Sequence, residues 1–311
     1  MNSLILHNNS IQAQNSFISA QLAESWLTFL DASEKTTQTY TRSIAQFINW
    51  LRDNDITQPT AQDIRHYRDY LSQDHKPATV NAYLMSVKQF YKFLEEQGIA
   101  QDIAKNVKSI KLEADTFKKD YLTSDQARAL INSIDRSTES GARDYALISL
   151  LITTGMRTIE AERADISDIR TVGNSTALYY RGKGRTEKNK FKKLAPAVEE
   201  AIRDYLAIRG ATEGALFVSD ANRNKGQRLT TRSISRIVKN RLRAIGLNSD
   251  RLTAHSMRHT SATLSLLNGS SLEEVQAMLD HRSISTTQIY SHHLNRAESQ
   301  AEQRVADAIF N

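Results

Sequence analysis

The sequence predicts a mainly α fold in two domains: an N-terminal four-helix bundle, then a larger, mostly helical domain that carries a small sheet. Three observations predict it. The chain has 311 residues, too many for one average domain and comfortable for two. Proline is scarce (3) and glycine modest (11), which favours helices over turn-rich β architecture. Apolar residues recur at helical spacing over most of the length, broken by a lysine-rich stretch near residue 110 and by short runs of strand character between 165 and 218.

Residues 1–15 are mostly polar and read as a loose tail. From Ser16, Phe17, Ile18, Leu22, Trp26, Leu27, Phe29 and Leu30 fall at helical spacing. A second helix is expected over 36–53 with Tyr40, Ile44, Phe47, Ile48 and Leu51 inward. Thr60 to Asp63 has capping-box form and opens a third helix through Ile64, Tyr67 and Leu71. Pro77 suits the first position of a fourth, where a missing N–H is harmless. That helix carries Val80, Leu84, Val87, Phe90, Tyr91 and Leu94, and stops at Gly98. The bundle domain therefore spans 16–102.

Over 103–120 the periodicity fades and Lys105, Lys108, Lys111, Lys118 and Lys119 accumulate, which reads as a linker. Those lysines suit either a solvated connector or phosphate contacts. The second domain, 121–311, opens with the helix-start signal at Thr123. Helices are expected over 127–134, 140–154, 158–163, 197–208, 232–245, 255–267, 272–279, 283–292 and 298–310. Strand character falls at 165–169, 176–180, 190–194 and 216–218.

Composition narrows the function classes. Forty-one Lys and Arg against 35 Asp and Glu give a net charge of +6. Such a balance fits nucleic acid, an acidic membrane surface or no partner at all. Absence of cysteine excludes disulfides and thiolate metal sites, and fits a reducing cytoplasm. No apolar run approaches the ~20 residues of a membrane span. Residues 1–10 lack the parts of a signal peptide, so a soluble, cytoplasmic protein is expected.

Several residues carry candidate chemistry, each with a plainer reading. Arg157 and Glu160, three apart at a helix junction, suit a surface ion pair or an anion clamp. Residues 181–193 hold seven basic residues and one acidic residue, Glu187. Gly182 and Gly184 around Lys183 suggest a tight hairpin, either solvated or aimed at phosphate. His255 and Arg258 share one side of a helix start, where N–H groups favour an anion. His255 and His259 are four apart, but no acid lies between them and no cysteine exists, so zinc is rejected. Tyr290 follows His281 by nine residues; a lone helical tyrosine is ordinarily a core residue.

The joint order of these residues is specific. Thr154-Gly-Met-Arg157-x-x-Glu160, then Gly182-Lys-Gly, then His255-x-x-Arg258-His259, then Leu279-x-His281-x-Ser-Ile-Ser-Thr-Thr-x-x-Tyr290 resembles the tyrosine recombinase (phage integrase) family over roughly 120–295. The resemblance implies a core-binding (SAM-like) bundle followed by a mixed α+β catalytic domain with a small antiparallel sheet. It implies an active site of Arg157, Lys183, His255, Arg258, His281 and Tyr290, with Glu160 in support. Tyr290 would attack a DNA phosphodiester and form a 3′-phosphotyrosine. The arginines would bind the non-bridging oxygens, with His255 as base, His281 as hydrogen-bond donor and Lys183 as acid to the leaving 5′-oxygen. No metal and no nucleotide cofactor is needed, because an incoming 5′-hydroxyl reverses the step.

The partners implied are duplex DNA at specific sites, a homo-tetramer that exchanges strands through a four-way junction, and an accessory directionality protein; a membrane is not among them. The tail before Ser16 is too short for an arm-binding domain, so a minimal, Xer-like two-domain enzyme is expected. Val305, Ala306, Ala308, Ile309 and Phe310 give the last helix an apolar face, for docking on a neighbouring subunit or on its own domain. Basic residues Arg223, Lys225, Arg228, Arg232, Arg236, Lys239, Arg241 and Arg243 suit phosphate contacts or a solvated face.

Two departures from the family pattern stand out. Asp280 replaces the usual glycine before the second histidine; aspartate tolerates turn conformations, so a modest shift is expected. The hairpin is longer than in compact relatives and adds Lys188, Lys190, Lys192 and Lys193 as candidates for the acid. Two other functions share these residues: type IB topoisomerase-like relaxation of DNA, and DNA binding by a non-catalytic regulator.

Overall fold

The computed structural model describes residues 20–112, 120–182, 187–298 and 300–310. They form two compact units that divide between Ala114 and Asp115, inside the stretch 103–120. Among the described residues no helix is long and apolar enough to cross a membrane.

The first unit is built from α1 (Ala20–Phe29), α2 (Glu34–Asp53), α3 (Ala61–Asp74) and α4 (Pro77–Glu96). Local chemistry sets the helix starts. Ser33 accepts the Thr36 N–H ahead of α2, Thr60 and Asp63 form a reciprocal capping box at α3, and Pro77 begins α4. Burying Trp26, Phe47, Tyr67, Leu84, Phe90 and Tyr91 joins the four amphipathic faces into one core. Trp26 stacks on Tyr40 with ring centroids 5.6 Å apart and meets Phe90 edge-on at 5.5 Å.

The first part of the expected linker is not free chain. Ala104 and Val107 are buried in the bundle core. The Asn81 side chain exchanges two hydrogen bonds of 2.8 Å with the backbone of Ile110. Apolar residues at 104, 107 and 110 dock this segment without helical periodicity. Lys118 and Lys119 lie outside the described residues.

The second unit contains α5 (Ser124–Asn132), α6 (Glu139–Thr154), α7 (Thr158–Glu162), β1 (Ile169–Val172), β2 (Ser175–Tyr180), β3 (Lys190–Lys193), α8 (Pro196–Arg209), α9 (Thr231–Ala244), α10 (Ala254–Leu267), α11 (Leu272–Leu279), α12 (Ser285–Glu298) and α13 (Ala301–Phe310). Helix α6 is its centre and packs on α8 and α10. Leu147, Ile148, Leu150 and Leu151 are fully buried in succession, so every face of this helix is covered. The sheet is antiparallel in the order β1-β2-β3. Its last pair places Leu178 opposite Lys192 and Tyr180 opposite Lys190.

Two expected strands differ. Residues 166–168 form a 3-10 turn, and β1 begins only at Ile169. The Asp168 carboxylate, buried at 2% exposure, accepts the Asp165 N–H at 2.8 Å and winds the chain there. Residues 216–218 make no strand; single bridges join Asp165 to Ala215 and Val218 to Arg228. The last helix leaves Val305, Ile309 and Phe310 exposed.

Candidate active site

The site begins where α6 stops. Gly155 ends that helix in the left-handed region with φ +61°. A Cβ there would lie 2.4 Å from Leu279 Cδ2 and 3.2 Å from Ser261 Oγ, so both conformation and space demand glycine. The sharp turn aims the Gly155 carbonyl at Arg258 and delivers Arg157 to the start of α7. Glu160 then accepts from the Arg157 backbone N–H at 2.9 Å and from Nη1 at 2.8 Å. Its carboxylate is 3% exposed, whereas the Arg157 side chain keeps 32% of its surface. A buried acid thus orients a cation that still faces outward.

Arg258, on the second turn of α10, is 3% exposed. It donates to the Gly155 carbonyl at 2.6 Å and to the Leu279 carbonyl at 2.5 Å. Burial, and then the nearby Arg157 charge, push its guanidinium down to about 10. It remains a cation at neutral pH.

Three imidazoles and the phenol form a chain of rings. His255 is exposed at the start of α10, and His259 follows one turn later, perpendicular to it at 4.7 Å. His259 packs against Tyr290 at 5.4 Å, and His281 stacks parallel to Tyr290 at 6.5 Å. His281 shares a 2.9 Å hydrogen bond between Nδ1 and Oγ1 of the fully buried Thr287. Burial, reinforced by His255 and Arg258, pushes His259 down to about 4. Burial followed by Arg258, Arg157 and Lys192 pushes His281 down to about 4, with Asp280 opposing. Both rings are neutral near pH 7, where each offers one donor and one acceptor. Tyr290 is 4% exposed beside Ala262, Val275 and Leu279. Burial raises its phenol above the ordinary value, and Arg258 and Arg157 pull it back.

Six of the seven residues singled out from the sequence are therefore described: Arg157, Glu160, His255, Arg258, His281 and Tyr290, gathered where α6, α7, α10, α11 and α12 meet. Lys183 lies outside the described residues. The other hairpin lysines are mostly engaged. Lys188 is tied to Asp165 and Asp168, Lys190 to Asp280, and Lys192 to the Met278 carbonyl, while Lys193 is exposed. Lys192 is 5% exposed, its ammonium lies 5.4 Å from the Tyr180 ring centroid, and burial pushes it down to about 8 against the pull of Glu160.

The sequence offered Lys190 and Lys192 as candidates for the acid and marked Asp280 as a departure from the family pattern, but it did not foresee that Lys190 pairs with Asp280, that Lys192 holds the Met278 carbonyl, or that His259 packs on Tyr290. The signal for the lysines was their i, i+2 spacing on a strand, which puts both on one face. The signal for Asp280 was its place after α11, where it takes φ 55° as the helix cap.

The basic residues of 223–243 divide into two groups. Arg228 holds the carbonyls of Glu162 and Ala164, Lys239 those of Ser249 and Leu252, Arg241 pairs with Asp144, and Arg243 with Asn248. Arg223, Lys225, Arg232 and Arg236 are exposed or half-exposed.

Comparisons with known proteins agree on one group. Residues 120–296 match the phage integrase family, and residues 21–101 match the phage integrase N-terminal SAM-like domain. The chain is 34% identical over 178 residues to the tyrosine recombinase XerC of Caldanaerobacter subterraneus subsp. tengcongensis, covering 55% of this chain and 47% of that protein. It is 36% identical over 168 residues to the XerC of Corynebacterium glutamicum, covering 53% and 51%. The chain spans about half the length of these curated relatives. Among solved structures, the XerH site-specific recombinase in a post-cleavage complex with its difH substrate has a TM-score of 0.72 at 23% identity. That match covers 91% of this chain and 84% of the other, and it speaks for a shared fold.

Proposed function

This chain belongs to the phage integrase family, and on that footing we propose that it is a site-specific DNA recombinase that cuts and rejoins DNA through Tyr290. The observation that carries the reading is the meeting of Arg157, Arg258 and His281, from the ends of three separate helices, around one tyrosine of a fourth. A core tyrosine needs no such surroundings.

In the proposed reaction a DNA phosphate sits against Arg157 and Arg258. The phenol oxygen of Tyr290 attacks phosphorus while the bond from phosphorus to the 5′-oxygen breaks. The enzyme keeps a 3′-phosphotyrosine and releases a 5′-hydroxyl. Charge that builds on the non-bridging oxygens meets two guanidinium groups, whose paired donors match its geometry. Glu160 keeps Arg157 in that orientation. His255, on the open side of α10, takes the phenolic proton; the neutral His259 ring, packed between it and Tyr290, is the second group within reach. His281 donates to the phosphate, and Lys183 protonates the leaving oxygen. Attack by a 5′-hydroxyl from a second strand reverses each transfer and completes exchange. Because Tyr290 is 4% exposed, α12 has to shift for its phenol to reach a phosphate.

The partners proposed are duplex DNA and three further copies of the chain on paired sites. The exposed Val305, Ile309 and Phe310 of α13 support docking of the tail on a neighbouring copy. An accessory protein that sets direction belongs to the same reading, as does a place in the cytoplasm.

A nicked oligonucleotide substrate, which traps covalent adducts, tests the chemistry. Wild type is expected to form an adduct and Tyr290→Phe none; an adduct with Tyr290→Phe sinks the mechanism. Strand exchange between two specific sites separates recombination from topoisomerase-like relaxation. Binding without any adduct would identify a non-catalytic regulator.

A further inference from the structure

Three consecutive residues at the end of α11 are each held from outside that helix. The Met278 carbonyl accepts from Lys192 Nζ. The Leu279 carbonyl accepts from Arg258 Nη2 at 2.5 Å. The Asp280 carboxylate pairs with Lys190. His281 follows directly. A helix C-terminus leaves its last carbonyls without helical partners and carries partial negative charge, so cations collect there. Two of these cations stand two apart on β3, on the face turned towards the site.

Asp280 is the unusual member. Among the described residues only Asp55 and Asp280 combine a side chain with positive φ. Residues with a side chain adopt that conformation rarely, although aspartate tolerates it better than most. Glycine would fill the backbone position without strain, but it would leave Lys190 without a carboxylate on this turn. The side chain therefore does something that the turn itself does not require.

We propose that the Lys190–Asp280 pair, together with Lys192 on Met278, clasps β3 to the turn between α11 and α12 and thereby positions the imidazole of His281. Lys190 and Asp280 are then positioning residues for the cleavage proposed above; the kinetic consequence rests on that reading. His281 is already held from its own side by Thr287 at 2.9 Å and through its carbonyl by Gln276 at 3.1 Å. The clasp supplies the hold from the sheet. Since β3 follows the β2–β3 connection that contains Lys183, it also ties the base of that connection to the His281 turn.

The test is an NMR titration of the histidines in the full chain, with His281 assigned from the His281→Gln spectrum. The charged groups around His281 are Arg258 from α10, Arg157 ahead of α7, Lys192 from β3 and its neighbour Asp280. Asp280→Asn keeps the volume and the tolerance of positive φ but removes the charge. Loss of a carboxylate alone lowers the pKa of His281. Release of the clasp does the reverse, because a freed imidazole regains water and moves up towards the ordinary value. The clasp therefore predicts an upward shift in Asp280→Asn and in Lys190→Ala, with Lys190→Arg close to wild type.

Cleavage at saturating DNA should fall on the order of 10- to 100-fold in both variants, recover in Lys190→Arg, and fall no further in the double variant. An unchanged or lowered His281 titration in Asp280→Asn, or losses that multiply in the double variant, would overturn the proposal. Asp280→Gly, which relieves the backbone, replaces Asp280→Asn if the latter folds poorly. The titration needs no DNA, so a wild-type protein that forms no adduct would refute the recombinase reading and leave this test standing.

Discussion

Arg258 donates a 2.5 Å hydrogen bond to the carbonyl of Leu279, 21 residues away in sequence. Its other terminal nitrogen reaches the Gly155 carbonyl, 103 residues away, at 2.6 Å. One buried guanidinium thus joins the ends of α6 and α11 and stands beside Tyr290. Its structural and proposed chemical roles share the same atoms. Arg258→Ala should therefore do two things: lower stability by about 2–5 kcal/mol, since two buried carbonyls are left without their donor, and reduce adduct formation by about 100- to 1000-fold. Arg258→Lys separates the roles. It keeps a buried cation, and should retain more stability in thermal unfolding while cleaving as poorly as the alanine variant, because an ammonium lacks the planar fork. Cleavage by Arg258→Lys at the wild-type rate contradicts the role given to this residue.

Gly155→Ala places a methyl group 2.4 Å from Leu279 Cδ2 in a left-handed conformation. Strain and overpacking should together lower stability by about 2–4 kcal/mol. Denaturant unfolding measures this. Gly173→Ala makes the control, since it shares positive φ but meets nothing within 4 Å. Equal destabilisation of the two variants would mean that the clash with Leu279 carries no weight.

Acid should unfold the second unit through its histidines. His259 and His281 are both pushed down to about 4 in the folded chain, against an ordinary value of about 6.5. A depressed folded pKa means that the unfolded chain binds more protons across that window. Stability is then fully present above about 6.5 and is lost as pH falls towards 4. Urea unfolding at pH values of about 7, 5.5 and 4.5, which bracket this window, should show the decline for wild type. The double variant His259→Gln, His281→Gln should show a shallower decline; a slope identical to wild type removes the two imidazoles from the account.

The exposed arginines of α9 and the engaged Arg228 ahead of it should behave differently. Arg232→Ala with Arg236→Ala should weaken DNA binding at all sequences and flatten the dependence of log K on log salt by about 1 for each phosphate left unneutralised. Arg228→Ala should instead destabilise the fold, because its guanidinium holds the carbonyls of Glu162 and Ala164 and pairs with Asp165. Fluorescence anisotropy over a salt series, beside thermal unfolding, reads both. If Arg232 and Arg236 leave the salt slope untouched, this face of α9 does not meet DNA.

Much of this molecule was determined locally, and so was legible in the chain. The helix starts at Thr60, Pro77 and Thr123 depend on residues within one turn of themselves, and the structure keeps all three. The periodic faces of α2 and α4 needed only their own spacing. The family pattern named Arg157, His255, Arg258, His281 and Tyr290 because those positions keep fixed distances along the sequence. What the chain could not announce is every feature that depends on a partner from elsewhere. Asp280 takes positive φ and finds Lys190 only when β3 lies against the end of α11. Lys192, one of the hairpin lysines offered as the acid, is buried because the Met278 carbonyl and the Tyr180 ring receive it. His259 gains its depressed pKa from burial that α12 helps to provide, and residues 166–168 turn rather than extend because Asp168 is buried and bonded to Asp165. Short-range rules decide which residues form an element, and only the folded chain decides which distant groups share water-poor space. There, as at Tyr290, proximity sets the charge and the proton affinity of each group.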